Sequence, residues 1–387
     1  MRMDPIIIVL HDYLNCASTS QFETDWSFLL NLSKKHEVTS VVYTQCKDFI
    51  PDKLRSAFER IYGSTLFYYV NRQNVMHKIE DSLFDIDYFI IKGASIAKYY
   101  PNPAFRTMGD TDIVVHTSDR DEVDNRLKNL GLNCVSALDN YEWHYYTNDM
   151  EFELHDHLVY SEIVNVDIQE EFFNDFWKYV HNNELDWNFH FLFLIFHMRK
   201  HFMNKGIGIR HFFDIAVLCS RGPKFNWSWI EDKLKELGLW KFAECVFALN
   251  EYWFEVTPPV DIEKMSEKFY LSATELVLKN GVFGFDNEDN RDNAIINNVR
   301  ATETRKRTML KLALSKLFPS YEVLISVTRY SYLRNRPYLL PVVWVHRIIR
   351  SIANRRVLIN MKYVVGTSYV NQDAIMRREE LYKDWGV

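Results

Sequence analysis

Residues 105–115, "FRTMGDTDIVV", decide how this chain is read. Asp110 and Asp112 stand one residue apart, directly ahead of Ile113, Val114 and Val115. A β-branched run of this kind reads as a buried strand. Side chains alternate across a strand, so Asp110 and Asp112 share one face and Thr111 takes the other. Two neighbouring carboxylates repel, and burying them without a partner is costly. A divalent cation removes that cost. Mg²⁺ prefers carboxylates together with substrate phosphates, and two such ions about 4 Å apart clamp an in-line phosphoryl displacement.

The flanking sequence extends the pattern. "MEFELHDH" at 150–157 offers a third carboxylate on another strand, with Glu151, Glu153 and His155 on one face and Phe152 and Leu154 on the other. Upstream, "DYFIIKGASIAKYY" at 87–100 reads as a short strand, a turn at Lys92-Gly93-Ala94-Ser95 and a helix. Glycine at such a turn lets the backbone approach a ligand, and a helix N-terminus favours phosphate.

Helical patterns surround this unit. Asp25 reads as the N-cap of "DWSFLLNLSKKH", and residues 51–84 form a long amphipathic stretch with a weak point at Gly63. "DRDEVDNRLKNLGL" at 119–132 reads as a helix closed by Gly131. "YEWHYYTNDMEFELHDHL" reads as two strands joined at Asn148 and Asp149. Farther on, "FLFLIFHMRKHF" at 191–202 is apolar nearly all round, as a buried helix would be, and residues 227–254 resemble a helical hairpin. The polar stretch 283–305 reads as a loop. The expected fold is α+β: an N-terminal helical region over 1–85, a small mixed-sheet core over 86–165, a helical domain over 166–282, and a polar loop with a basic, aromatic tail over 283–387.

Composition narrows the classes. The 387 residues are 47% hydrophobic and 25% charged, ordinary for a globular protein. The net charge of −6 argues against a general nucleic-acid binder. Five scattered cysteines without a CxxC pair point to a reducing compartment, and Ile6–Leu10 is too short an apolar run for a signal peptide or a membrane span, so the cytoplasm is expected. Between Val323 and Gln372 there is no Asp or Glu but eight Arg or Lys, alongside Trp344 and a Leu-Leu-Pro-Val-Val run. That segment suits either peripheral contact with an anionic membrane or burial against the protein itself.

Strand, Gly turn, helix, Asp-x-Asp strand and a third carboxylate, in this order, resemble the polymerase-β-like nucleotidyltransferase superfamily. One position departs from its pattern: Ala94 follows Gly93 where the superfamily carries Gly or Ser, with Ser95 next. "KGASIAKYYPNPAFRTMGDTDIVV" and "EFELHDHL" look more closely like a bacterial family of uncharacterised nucleotidyltransferases with a KG…R…GDxD signature. "HMRKHFMNKGIGIRHFFDIAVL" is similar to that family's helical segment, and the resemblance spans roughly residues 20–355. It implies a Mg²⁺-dependent enzyme, with Mn²⁺ as an alternative ion, that moves a nucleoside monophosphate, AMP by preference, from an NTP to an acceptor hydroxyl and releases pyrophosphate. Asp110, Asp112 and Glu153 would be the catalytic metal ligands, and Gly93 and Ser95 would cradle the triphosphate. The implied acceptor is a small molecule, a peptide or a protein ahead of tRNA, as used by toxin-like relatives. The alternative in another class is a nucleotide-binding interaction module without turnover.

Several residues keep two readings. Lys92 contacts phosphate or caps the sheet. Arg106 holds triphosphate oxygens with its planar fork or anchors its loop on a nearby acid. His155 takes part in the chemistry or orients a carboxylate. His197 and His201 have zinc-like i,i+4 spacing but lack the glutamate of a metalloprotease helix. With Lys200 they are expected to line the cleft opposite the sheet, Lys200 reaching phosphate or acceptor. Arg210 and Asp214 are expected to pair with each other. Replacing Asp112 by Asn is expected to relieve carboxylate repulsion in the metal-free state.

Overall fold

The structure, a computed structural model, describes residues 4–136, 142–147, 150–159, 167–204, 206–282, 318, 321, 324, 333, 336–353 and 383–387. The expected loop at 283–305 and most of the basic tail lie outside them.

Four helices come first: α1 (Pro5–Leu14), α2 (Trp26–Lys35), α3 (Thr39–Cys46) and α4 (Asp52–Ser82). Asp25 caps α2 as its sequence suggests, accepting from the N–H groups of Ser27 at 2.9 Å and Phe28 at 3.1 Å. Asp4 does the same for α1 through Ile6 N–H, and the apolar run that follows is a buried helix. Gly63 does not interrupt α4, which runs unbroken for 31 residues, about 46 Å.

The sheet follows, from β1 (Tyr88–Ile91), β2 (Asp112–Val115), β3 (Asn133–Ser136), β4 (Glu142–Thr147) and β5 (Met150–His155), with α5 (Gly93–Ala97) after β1 and α6 (Arg120–Asn129) after β2. Its order is β1-β2-β5-β4-β3. β2 pairs parallel with β5 and every other neighbour is antiparallel, so the sheet is mixed. Gly131, at φ +84°, closes α6 in the left-handed conformation its residue type permits.

The chain returns to helices: α7 (Asp167–Asn174), α8 (Trp187–Asn204), α9 (Ile209–Arg221), α10 (Trp227–Glu236), α11 (Trp240–Phe254) and α12 (Glu267–Asn280). A small hairpin, β6 (Val180–His181) and β7 (Glu184–Leu185), precedes α8. α10 and α11 form the expected helical pair, and α13 (Leu340–Ala353) lies in the tail.

Two apolar cores divide the work. The larger takes in α1–α3, the first half of α4 at Phe58, Phe89, Ile91 and Val114 of the sheet, and α8–α12. The smaller lies on the other sheet face, where Ile113, Val115, Tyr145, Phe152 and Leu154 meet Met76 and Ile79 of α4 and Val123 and Leu127 of α6. Each fully buried Leu or Phe contributes about 1.5–3 kcal/mol. Helix α4 belongs to both cores.

Candidate active site

The sheet register builds the site. Asp112 lies beside Glu153 across the parallel β2–β5 pair, and Glu153 faces His144 across β5–β4. Alternation puts Asp112, Glu151, Glu153, His155, His144 and Tyr146 on one face. Thr111 continues the β2–β5 ladder, receiving Glu153 N–H at 2.9 Å and donating its own N–H to Glu151 O at 3.1 Å.

Asp112 is almost fully buried but not alone. Lys92 Nζ donates to its Oδ1, and His155 Nε2 sits 2.9 Å from the same oxygen. Burial pushes the Asp112 carboxyl up, but Lys92 and His155 outweigh it and hold the group well below the usual carboxylate range. Asp110 moves the opposite way: burial raises it, Asp112 repels it, and Lys92 offsets only part of this. His155 also lies 3.4 Å from Glu153 Oε2. Burial opposes its charge, yet the hydrogen bonds to Asp112 and Glu153 raise it to about 9. Lys92 stays firmly charged, because Asp112, Glu153 and Asp110 overcome its burial.

Lys92 is held in an unusual backbone. Its φ is +57°, a conformation that costs a non-glycine residue about 1–3 kcal/mol. Its N–H donates to Nε2 of the buried His190 on α8, 3.0 Å away, and its side chain is tied to Asp112. Burial lowers His190 to about 3, so the ring is neutral and free to accept. Of the two readings of Lys92, the one in which it serves the sheet describes this arrangement.

The turn that follows is packed from within. Ser95 Oγ donates to Ile90 O at 2.6 Å, so its hydroxyl proton closes the turn. Arg106 grips Asp214 with two bonds, Nε to Oδ1 at 2.7 Å and Nη2 to Oδ2 at 2.8 Å, and gives Nη1 to Thr107 O. Its loop-anchoring alternative is therefore the observed one, and its fork is engaged by protein. A Cβ on Gly93 would lie 3.0 Å from Arg106 Nη1, a tight contact that the guanidinium could relieve only by shifting a few tenths of an ångström, so glycine leaves the room that Arg106 fills. The expected Arg210–Asp214 pair does not form. Asp214 is taken by Arg106 and by Tyr100 OH, and Arg210 turns to Glu37 and to Thr107 O at 3.0 Å.

On α8, His197 and His201 bring their Nε2 atoms to 2.8 Å. Burial first, then His201, Lys92 and Lys200, hold His197 well below its ordinary value. α8 thus lies within electrostatic reach of the β1–β2 end of the site. Neither group of described residues that could hold a metal includes His197 or His201.

Those two groups both lie on the charged sheet face. Asp112, Glu153 and His155 bring ligand atoms within 4.8 Å of one another, and so do His144, Glu151 and Glu153. Asp110 belongs to neither, although it interacts electrostatically with Asp112 and Glu153. Carboxylates that repel one another on one sheet face fit a hard divalent cation. Lys92 and His155 supply part of the same positive charge from within.

Two residues of the site escaped the sequence reading. His190 shares a helix face with His197 and His201, at spacings of seven and four in a largely apolar helix, and that polar row was the signal. Arg72 lies in the stripe Arg72, Met76 and Ile79 that α4 buries; a single arginine in an apolar stripe was the signal there.

Among the described residues, no helix is long and apolar enough to cross a membrane. Neither curated proteins nor solved structures give a match to the chain. A family profile does, over residues 23–255, from α2 to the end of α11 and across the whole sheet. The chain therefore belongs to the family described as uncharacterised nucleotidyltransferases.

Proposed function

We propose that the protein is a divalent-cation-dependent nucleotidyltransferase of the polymerase-β-like kind, transferring AMP by preference from an NTP to an acceptor hydroxyl. The observation that carries this reading is the register of Asp112 against Glu153, with Asp110 two residues ahead of Asp112, where the strand begins. The acceptor oxygen forms a bond to the α-phosphorus, the bond from that phosphorus to the bridging oxygen breaks, and pyrophosphate leaves. Asp110, Asp112 and Glu153 would hold Mg²⁺ or Mn²⁺, which supplies positive charge to the reacting phosphoryl oxygens. Glu153 also receives the acceptor's proton. His155 orients Asp112 and Glu153 through its Nε2. The Gly93 turn, backed by Arg106, presents the backbone at the start of α5 to the phosphates. Small molecules, peptides or protein side chains rank ahead of tRNA as acceptors, because the net charge is −6.

The test is incubation of the protein with each labelled NTP, Mg²⁺ or Mn²⁺, and a cell extract resolved into small-molecule, protein and RNA fractions. Label transferred with equimolar pyrophosphate release supports the reading. Cation-dependent nucleotide binding without any pyrophosphate would favour the non-catalytic module.

The tail carries a proposal of its own: α13 rests on an anionic membrane surface. Tyr338, Val342 and Val345 are exposed there, while Val343 is buried against Leu324 and Leu333. Exposed apolar side chains in a segment with no acid between Val323 and Gln372 match an interface of lipid tails and anionic headgroups. Co-sedimentation with phosphatidylglycerol vesicles, lost for Val342→Glu and absent with phosphatidylcholine alone, is the expected result.

A further inference from the structure

Arg72 stands on the far side of the sheet from the carboxylates. It projects from α4 into the apolar face, with its guanidinium carbon 5.7 Å from the centre of the Phe152 ring. Four hydrogen bonds take it to the chain that carries the charges. Nη1 donates to Thr111 Oγ1 at 2.7 Å and to Glu151 O at 3.2 Å, and Nη2 donates to Met108 O and to Gly109 O, each at 3.3 Å. Those acceptors are significant. Met108 and Gly109 lead into Asp110, Thr111 separates the two aspartates, and Glu151 lies two residues before Glu153. One rigid fork therefore spans both strands that bear the carboxylates, at the point where β2 begins.

Lysine could not do this, because it has a single ammonium where arginine has a planar array of donors. The guanidinium touches none of the carboxylate oxygens in these bonds. It acts on the backbone beneath them and on a threonine that alternation turns to its side of the sheet. Asp110 lies outside the regular strand, so the strand ladder alone does not fix it.

We infer that Arg72 is a positioning residue that sets the spacing between Asp110 and Glu153 from behind the sheet, and thereby sets the cation affinity of the site. This rests on the cation-dependent reading above. Partners behind metal ligands typically change metal affinity tenfold to a hundredfold when removed.

The experiment measures Mn²⁺ binding by the electron-spin signal of free Mn²⁺, with nucleotide transfer and metal-free thermal melts alongside. It compares wild type, Arg72→Lys, Thr111→Val and the double variant. Expected are about tenfold weaker Mn²⁺ binding in Arg72→Lys, a smaller loss in Thr111→Val, and little loss in the double beyond that of Arg72→Lys, since Thr111 Oγ1 acts through a bond that Arg72→Lys already removes. Transfer at saturating Mn²⁺ should recover most of the wild-type rate. Should Arg72→Lys fail to fold, Thr111→Val alone decides, because it removes only the side-chain acceptor. Unchanged Mn²⁺ affinity in folded variants, with only a lower melting temperature, overturns the inference and leaves the enzyme reading intact. Absence of Mn²⁺ binding in the wild type overturns both.

Discussion

The two faces of the sheet are made by the same strands, residue by alternate residue, and they are stabilised in opposite ways. Phe152 and Leu154 face helices α4 and α6 and exclude water. Glu151, Glu153 and His155, interleaved with them, face a cluster of charges that must be balanced at every step. An apolar face tolerates small errors, because packing energy is spread over many contacts. A charged face does not, because each buried charge needs a particular partner. The contrast explains why the charged side is surrounded by fixed devices: a strained Lys92, a neutral His190, an Arg106 locked to Asp214, and Arg72 behind.

The strongest way to break this contrast is Asp112→Asn. If Asp112 holds the cation as proposed, its loss should slow transfer roughly a thousandfold, since charge stabilisation contributes several kcal/mol and each 1.36 kcal/mol is tenfold in rate. The sequence alone suggested that folding of the metal-free protein would be unharmed or improved. The structure reverses that expectation, because Lys92 and His155 both lean on Asp112. Removing one partner from a buried ion pair costs about 3–5 kcal/mol. A lower melting temperature in EDTA, together with lost transfer of labelled nucleotide, is the expected pair of results.

On the apolar face, Phe152→Ala should cost a comparable 3–5 kcal/mol or so in stability. Mn²⁺ binding by the protein that remains folded should change far less than in Asp112→Asn. Denaturant melts and Mn²⁺ titration of the same samples check this. Equal loss of affinity in both variants would show that the faces are not separable.

Acid offers a third comparison. His36 is buried at the end of α2, its Nδ1 accepting from Ile209 N–H at 3.2 Å and its Nε2 donating to Leu278 O at 3.1 Å. Burial lowers it to about 4, below its unfolded value of about 6.5. The unfolded chain therefore takes up a proton first as pH falls. This contribution is complete above about pH 6.5 and is lost towards pH 4, in total roughly 3 kcal/mol. His36→Gln should be less stable at neutral pH and lose less between pH 6.5 and 4, as read from urea midpoints across that window.

The smallest effect is expected for Gly93→Ala. The new methyl would press on the Arg106 guanidinium at about 3 Å, and Arg106 is pinned by Asp214. Overpacking of this kind costs about 1–3 kcal/mol. Paired with Asp214→Asn, which loosens Arg106, the glycine substitution should cost less; a double-mutant cycle on melting free energies measures the coupling.

Much of this architecture was legible because local chemistry and tertiary packing agreed. The Asp25 cap, the Gly131 terminus, the strand alternation of 150–155 and the all-round apolar helix at 191–202 each follow from a short-range rule, and each is present. The misreadings share a cause. Arg210 and Asp214 have helical spacing, but stronger partners from distant segments, Glu37 and Arg106, take each of them. Helix α1 was not distinguished because it is buried on most sides, which erases periodicity. The short β6–β7 hairpin has two residues per strand, too few for alternation to register. For the carboxylates, sequence could put Asp110, Asp112 and Glu153 on strands but not weigh Lys92 and His155 against them, because that balance exists only once β1, β2 and β5 are side by side.

Helix α4 has a consequence for how the molecule opens. Its first half is anchored by Phe58 in the large core and its second half by Met76 and Ile79 in the small one, with no break at Gly63. Neither core can come apart without fraying a helix that the other holds. Backbone amides in the middle of α4, around Arg72, should therefore exchange with deuterium only as fast as the slowest-opening part of the protein, and those of α6, which touches the small core alone, should exchange sooner. A substrate entering or leaving the charged face would then do so over a sheet whose backing opens last.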